Sequence, residues 1–306
     1  MPGSTTRLQA LLDAGEFVIS AELTPPRHYD TTRLVETARM VAPHVDVVQI
    51  NDNVLSQARM TNMVAGHLVI QEGLEPVLQF TLRHRNRIAL QSDLLGFAAL
   101  GIRNVIVLGG YPCSIGSDPE AVDATDMQSL EAIAAIHNLT TKGELFNGDA
   151  IAPAPSFYVG TIDFPSCSNG SDFEKVMDRL EAKINSGTSF IQVQATFDPT
   201  TLDFWMAGVR ARGLHKRAHI MAAIFPFSGA KRLEFLQKVP GLSIPDHLLD
   251  RIRSKDSEAE SLSITLEIID GIRQIEGISG IHMRCIGAED WVPRIVEAAG
   301  LRKVLV

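Results

Sequence analysis

The stretch Phe17-Val-Ile-Ser-Ala-Glu-Leu-Thr-Pro-Pro26 reads as a β-strand stopped by two prolines, and the residues after that stop decide the fold. Phe17, Ile19, Ala21 and Leu23 alternate with Val18, Ser20, Glu22 and Thr24, so the two sets face opposite sides of a sheet. An open doubly wound sheet would place a Gly-x-Gly-x-x-Gly turn after such a strand, and none is present here. Seven further short apolar runs come later, at 45–50, 76–82, 104–108, 156–162, 190–196, 219–224 and 280–286. Segments with apolar residues at three- and four-residue spacing, such as 31–41, 87–100, 172–186 and 289–299, lie among them and predict helices.

Eight strands with intervening helices predict a (β/α)8 barrel of TIM type, read as a single domain over residues 1–306. The gap 225–279 is long enough for a helical insertion before the eighth strand, with helices after Ser228, from Asp246 and over 257–275. The gap 109–155 holds a loop rich in Gly, Pro, Ser and Asp, then a helix beginning near Asp126. Long loops after barrel strands usually carry function.

The 306 residues are 45% hydrophobic with a formal net charge of -8, and Lys and Arg are scattered, so no nucleic-acid footprint is present. Cys113, Cys167 and Cys285 lie far apart, without the close pairs of a zinc site or the even count of a disulfide framework. They predict reduced thiols in a cytoplasmic protein. Neither a signal-like apolar run in residues 1–16 nor a stretch of the ~20 apolar residues needed to cross a bilayer is found, so no membrane association is expected.

Barrel active sites lie at the carboxyl ends of the strands. Glu22 is at that end of the first strand, where it is either a carboxylate inside the mouth, an exposed strand-end residue, or a partner of a core arginine. Inside the mouth, desolvation would raise its pKa and suit it to general-acid work. Gln49, Asn51, Asp52 and Asn53 end the second strand; Gln79, Thr81, Arg83 and His84 belong to the third, and such groups bind a heteroaromatic ring or cap the next helix. Capping is the reading for Asn53 and Asn86. Gly109 and Gly110 end the fourth strand, as a plain turn or as a close approach for a flat ligand. Gln192 and Gln194 share one face of the sixth strand, in a polar core network or against a ligand. His219 and His282 read as structural histidines, and no metal site is predicted.

The segments Gln79-Phe-Thr-Leu-Arg-His-Arg-Asn86, Leu90-Gln-Ser-Asp-Leu-Leu-Gly96 and Leu100-Gly-Ile-Arg-Asn104 resemble long motifs of the methylenetetrahydrofolate reductases. Ala21-Glu-Leu-Thr-Pro-Pro26, Lys183 with Gly187, Gln192-Val-Gln-Ala-Thr-Phe-Asp198, Phe225-Pro-Phe-Ser228 and Pro240-Gly-Leu-Ser-Ile-Pro-Asp246 extend the resemblance over nearly the whole chain. It implies a barrel that holds FAD and interconverts 5,10-methylenetetrahydrofolate and 5-methyltetrahydrofolate, with NADH, NADPH or another electron donor. Glu22 matches the glutamate that helps protonate the folate, and Gln194 the glutamine that contacts it; Phe225 is assigned to the substrate with them. Gln49, Gln79, Thr81, Arg83, Leu108, Gly109, Gly110, Phe164 and Lys183 are assigned to FAD. A homo-oligomer is expected.

Tyr111 stands where the family carries an aspartate, which makes it a candidate catalytic position with a neutral phenol in place of a charge. Ala230 replaces an aromatic residue, and Val176 and Arg179 occupy places where polar contacts to FAD are expected. These departures keep open an alternative: a folate-binding barrel with a degraded or flavin-independent redox site, acting with a partner or a direct nicotinamide donor.

Overall fold

The computed structural model describes residues 5–165, 171–238 and 242–301. Cys167 and the Pro240-Gly241 pair of the last motif lie outside them. Eight strands, β1 (Val18–Leu23), β2 (Val47–Ile50), β3 (Pro76–Thr81), β4 (Asn104–Leu108), β5 (Tyr158–Asp163), β6 (Phe190–Val193), β7 (His219–Ile224) and β8 (Ile278–Met283), form a closed barrel in sequence order. All eight neighbour pairs are parallel, and β1 closes on β8 through Val18–Gly280 to Ala21–Met283. The predicted architecture is therefore the observed one. The strands start or stop within three residues of the predicted bounds; β6 ends at Val193, before Gln194, and β8 at Met283, before Arg284.

The helices are α1 (Arg7–Asp13), α2 (Thr32–Val41), α3 (Asn62–Gln71), α4 (Arg87–Ala99), α5 (Ser129–Lys142), α6 (Ser171–Asn185), α7 (Pro199–Ala211), α8 (Gly229–Leu236), α9 (Asp246–Ser254), α10 (Glu258–Arg273) and α11 (Trp291–Ala298). Local chemistry sets several starts. Asn86 accepts from the Ala89 amide to begin α4, Asp198 accepts from Thr200 with Pro199 next in line to begin α7, and Ser257 accepts from Glu260 to begin α10. The helices then lay apolar stripes on the barrel wall, as Leu90, Leu94 and Phe97 do from α4. Helices α8, α9 and α10 make up the predicted insertion between β7 and β8.

The barrel interior is graded along its axis, and this positions the site. At the amino-terminal end Val18, Val47, Val77, Ile106, Tyr158, Phe190 and Met221 form one buried cluster with Leu8, Leu11 and Leu12 of α1. Tyr158 and Phe190 stack at 5.2 Å between ring centroids. Gly160 makes room for them, because a Cβ there would stand 2.3 Å from the Phe190 ring. No element before Phe17 is expected from sequence. A helix of 7 residues is too short to show a period, yet α1 plugs this end of the barrel. Glu75 accepts from the Arg7 and Leu8 amides at 2.8 Å each, satisfying two otherwise open N–H groups of its first turn.

Candidate active site at the barrel mouth

Above the apolar plug the inward positions turn polar. Ser20 and Glu22 follow Val18, Gln49 follows Val47, Gln79 and Thr81 follow Val77, Gln192 and Gln194 follow Phe190, and His282 and Arg284 lie on the same side of β8 and its extension. The amides are tied together: Gln49 donates to the Gln192 side chain at 2.9 Å, and Gln79 approaches Gln49 at 3.5 Å. This layer is the floor of a cleft of about 400 Å³ at the carboxyl ends of the strands. A volume of that order is typical of small-molecule sites, roughly 300–1,000 Å³.

Of the residues singled out from sequence, Gln79, Thr81, Leu108, Gly109, Gly110, Tyr111, Phe164 and Gln194 line the cleft. Gln49 is buried in the floor beneath it. Arg83, Lys183 and Phe225 are set back. Arg83 binds Asp123 at 2.7 Å and the Gly110 carbonyl at 3.2 Å. Lys183 donates to the Ile162 carbonyl at 2.7 Å and lies 3.5 Å from Asp163; burial lowers its pKa, an effect that Asp163 opposes. Phe225 is buried, with the Arg284 guanidinium 4.8 Å from its ring centroid.

Glu22 faces inward, as the alternation predicts, but no part of it is exposed. Neither carboxylate oxygen has a hydrogen-bond partner; the nearest cations are the Arg284 Nε at 3.6 Å and, if protonated, the His282 Nε2 at 4.0 Å. The expected upward pKa shift is corrected here. Burial does push the carboxyl up, but His282 and Arg284 outweigh it and hold Glu22 below the ordinary glutamate value. The reading of His282 as a satisfied structural residue is also corrected. Its Nδ1 lies 3.0 Å from the Ser20 hydroxyl, yet its buried Nε2 is unpartnered and turned to Glu22, and burial drives the imidazole pKa down more than Glu22 raises it. His219, by contrast, lies 3.2 Å from Asp13 at the other end of the barrel.

Arg284, which sequence reading does not single out, is the residue that joins the parts. It lines the cleft, donates to the Gln194 side-chain oxygen at 2.6 Å, and sits beside Glu22. A signal for it exists in the chain: it continues the inward alternation of β8 two residues after His282. Asp52, His84, Asp163 and Gln192 complete the polar lining. Asp52 is fixed by Arg85 through two bonds of 2.6 and 3.0 Å and accepts from the Thr81 amide at 3.0 Å.

Two backbone features shape the walls. Gly110 has φ +86, and a Cβ there would meet the Thr81 methyl at 2.3 Å, so only glycine fits; at Gly109 a Cβ would meet nothing within 4 Å. On the facing side the loop after β2 holds Asn53, Leu55 and Ser56 at φ 47, 56 and 51, the left-handed region that costs non-glycine residues energy and gathers at functional sites. The Ser56 hydroxyl braces it by donating to the Tyr111 carbonyl at 2.8 Å. Asn53 does not cap a helix as expected; its side-chain oxygen accepts from the Arg59 amide. Among the described residues no group of three or more His, Cys, Asp or Glu could hold a metal ion, and no helix is long and apolar enough to cross a membrane.

A family model described as "Methylenetetrahydrofolate reductase" matches residues 7–300. A probable methylenetetrahydrofolate reductase (NADPH) of Caenorhabditis elegans is 22% identical over 311 residues, covering 97% of this chain and 44% of that protein. Methylenetetrahydrofolate reductase 1 of Schizosaccharomyces pombe is 26% identical over 151 residues, covering 47% and 24%. The chain thus spans less than half the length of these curated relatives. Among solved structures, an uncharacterized protein from Clostridium thermocellum that binds two copies of 5-methyl-5,6,7,8-tetrahydrofolic acid superposes with a TM-score of 0.66 at 14% identity, covering 96% of this chain and 97% of that one. A riboflavin lyase with modified FMN and riboflavin reaches 0.53 at 10% identity, with 94% and 93% covered. At such identities the likeness is one of fold.

Proposed function

The chain belongs to the methylenetetrahydrofolate reductase family, and we propose that it interconverts 5,10-methylenetetrahydrofolate and 5-methyltetrahydrofolate, using FAD and NADH or NADPH. The observation that carries this reading is the line Glu22–Arg284–Gln194, which runs from a fully buried carboxylate to the wall of the cleft. The wall opposite fits a flat heteroaromatic ring. At Gly109 the backbone borders open space, while Gln79 and Thr81 stand beside it as hydrogen-bonding groups. Leu108, Gly110, Tyr111 and Phe164 complete the proposed flavin wall, with Gln49 supporting Gln79 from below and Arg83 and Lys183 bracing the loops behind it. Bound flavin would supply the hydride chemistry.

The chain's own residues bind, orient and move a proton. Gln194 lines the cleft with its side-chain oxygen held by Arg284 at 2.6 Å and by the Ala195 amide at 3.0 Å, which orients the amide beside the proposed folate position. Phe225 fixes the Arg284 plane from behind. Glu22 is the proposed proton carrier. In the free protein it is held ionised by its neighbours; a folate that draws Arg284 toward its own polar groups would leave a desolvated carboxylate with less compensation, and its proton affinity would rise. Once Arg284 has moved aside and opened Glu22 to the cleft, the protonated form can donate to the folate ring nitrogen whose protonation opens the five-membered ring.

The test is Glu22→Gln with the two half-reactions measured separately. The flavin should remain bound and reducible by NAD(P)H while the folate half-reaction falls by roughly 10²–10⁴-fold, the usual range for a lost general acid. Folate turnover within about threefold of the parent, a barrier change below ~1 kcal/mol, would remove Glu22 from the mechanism.

A further inference from the structure

Three glutamines in the floor of the cleft form a chain that has a direction. It starts at the Asp52 backbone amide, which donates to the Gln79 side-chain oxygen at 3.4 Å. Gln79 then offers its amino group to the Gln49 oxygen at 3.5 Å, and Gln49 donates to the Gln192 oxygen at 2.9 Å. A side-chain amide can be turned over to exchange its oxygen and nitrogen, but a backbone N–H can only donate, so the anchor fixes each orientation in turn. The anchor itself is held in place, because the Asp52 carboxylate is bonded by Arg85 and by the Thr81 amide.

The chain of amides ends at Gln192. Its oxygen is taken by Gln49, while its amino group has no hydrogen-bond partner among the described residues and is not sealed off as the Glu22 oxygens are. The residue lines the cleft, and its register partners on β5 and β7, Ile162 and Met221, bring no side-chain oxygen to it. Turning Gln192 over would set its amino group against that of Gln49 and forfeit the 2.9 Å bond inside a buried layer, where an unmade hydrogen bond is costly. At this point the floor therefore shows the cleft an N–H donor and no oxygen.

A donor whose polarity cannot be reversed selects acceptors. The acceptors at the edge of a flat heteroaromatic ring are its carbonyl oxygens, and isoalloxazine and pterin rings both carry one next to a ring nitrogen. A ring with an amino group at that position would set N–H against N–H. A site built to bond one such group rejects the other, because a polar group is then left unpaired as water leaves the site.

We propose that Gln192 is a specificity residue that holds a ring carbonyl of the flat ligand in the cleft, with its polarity set by the Asp52 amide through Gln79 and Gln49. This rests on the proposed folate and flavin chemistry and adds which group on the ring the barrel floor reads.

The experiment measures, by calorimetry on the full chain, the binding of FAD, of 5-methyltetrahydrofolate, and of its analogue with an amino group in place of the pterin carbonyl. If the carbonyl is the pterin's, the parent should prefer the natural folate by roughly tenfold or more. In Gln192→Glu at about pH 8, which keeps an acceptor for Gln49 but has no N–H once ionised, that preference should fall below about twofold or reverse. Gln49→Met frees Gln192 to turn, so both folates should still bind with a preference of about twofold or less. If the carbonyl is the flavin's, the folate preference should be near one throughout, and FAD affinity should fall about tenfold in both Gln192→Glu and Gln192→Leu. A folate preference that survives in Gln192→Glu, or one near one in the parent with FAD affinity unchanged in the variants, overturns the assignment. A preference lost in Gln192→Glu but kept in Gln49→Met shows that the amide chain does not set the polarity. A parent that binds neither folate nor FAD refutes the activity on which the proposal rests.

Discussion

At the residue scale, Glu22 and Arg284 define what can be tested. The depressed pKa of Glu22 means that its ionised form contributes stability above the ordinary glutamate value of about 4.5, and that this contribution is lost as pH falls through the lower folded value. Arg284→Gln removes the nearest cation and leaves a fully buried carboxylate beside a neutral imidazole. Breaking a buried pair in this way typically costs about 3–5 kcal/mol, an upper bound here because Arg284 keeps some exposure. The variant's Glu22 pKa should rise, so part of its stability deficit relative to the parent should close as pH is lowered from about 7 toward 4. Denaturant midpoints across that range provide the check. A deficit that stays constant with pH would show that Arg284 acts through packing on Phe225 and not through the Glu22 charge.

At the scale of elements, α1 is separable from the chemistry. Leu8, Leu11 and Leu12 fill the amino-terminal end of the barrel, against the layer that includes Val18 and Phe190, while the cleft opens at the other end. Leu11→Ala removes buried methyl groups from a packed layer and should destabilise the fold by about 2–5 kcal/mol. Flavin and folate affinities of the folded variant should stay within about twofold of the parent, since sites at opposite ends of a rigid barrel add independently. Thermal unfolding and ligand titration of the same sample measure both. A matching loss of affinity would mean that the plug sets the register of the floor glutamines. The loop after β2, with its three left-handed residues braced by Ser56, is the element where strain and site coincide.

At the scale of the whole molecule, closure of eight strands makes the barrel one cooperative unit, each strand held on both sides. A ligand that binds only the folded state should therefore raise the stability of the entire barrel. Saturating 5-methyltetrahydrofolate at about a hundred times its dissociation constant is expected to add about 2.7 kcal/mol. Leu11→Ala should gain the same increment although its defect lies at the far end, and scanning calorimetry with and without the folate checks it. A transition that splits in two on adding folate would show that the mouth unfolds apart from the plug.

The barrel was legible in the amino-acid order alone, through eight short strands alternating with helical periods and the missing glycine-rich turn after β1. So were the inward face of Glu22 and the run Gln79 to Asn86, because alternation and motif are local properties of neighbouring residues. Local chemistry set the cap at Asn86 but misjudged Asn53, whose side chain turns to the Arg59 backbone instead. Contacts between distant segments settled the rest. Helix α1 is too short to announce itself and is recognised by what it plugs. The downward shift at Glu22 depends on Arg284 and His282, which lie near the other end of the chain and come beside β1 only when β8 closes the barrel. An ionic environment is a sum over distances in space, and those distances do not exist until the strands have closed.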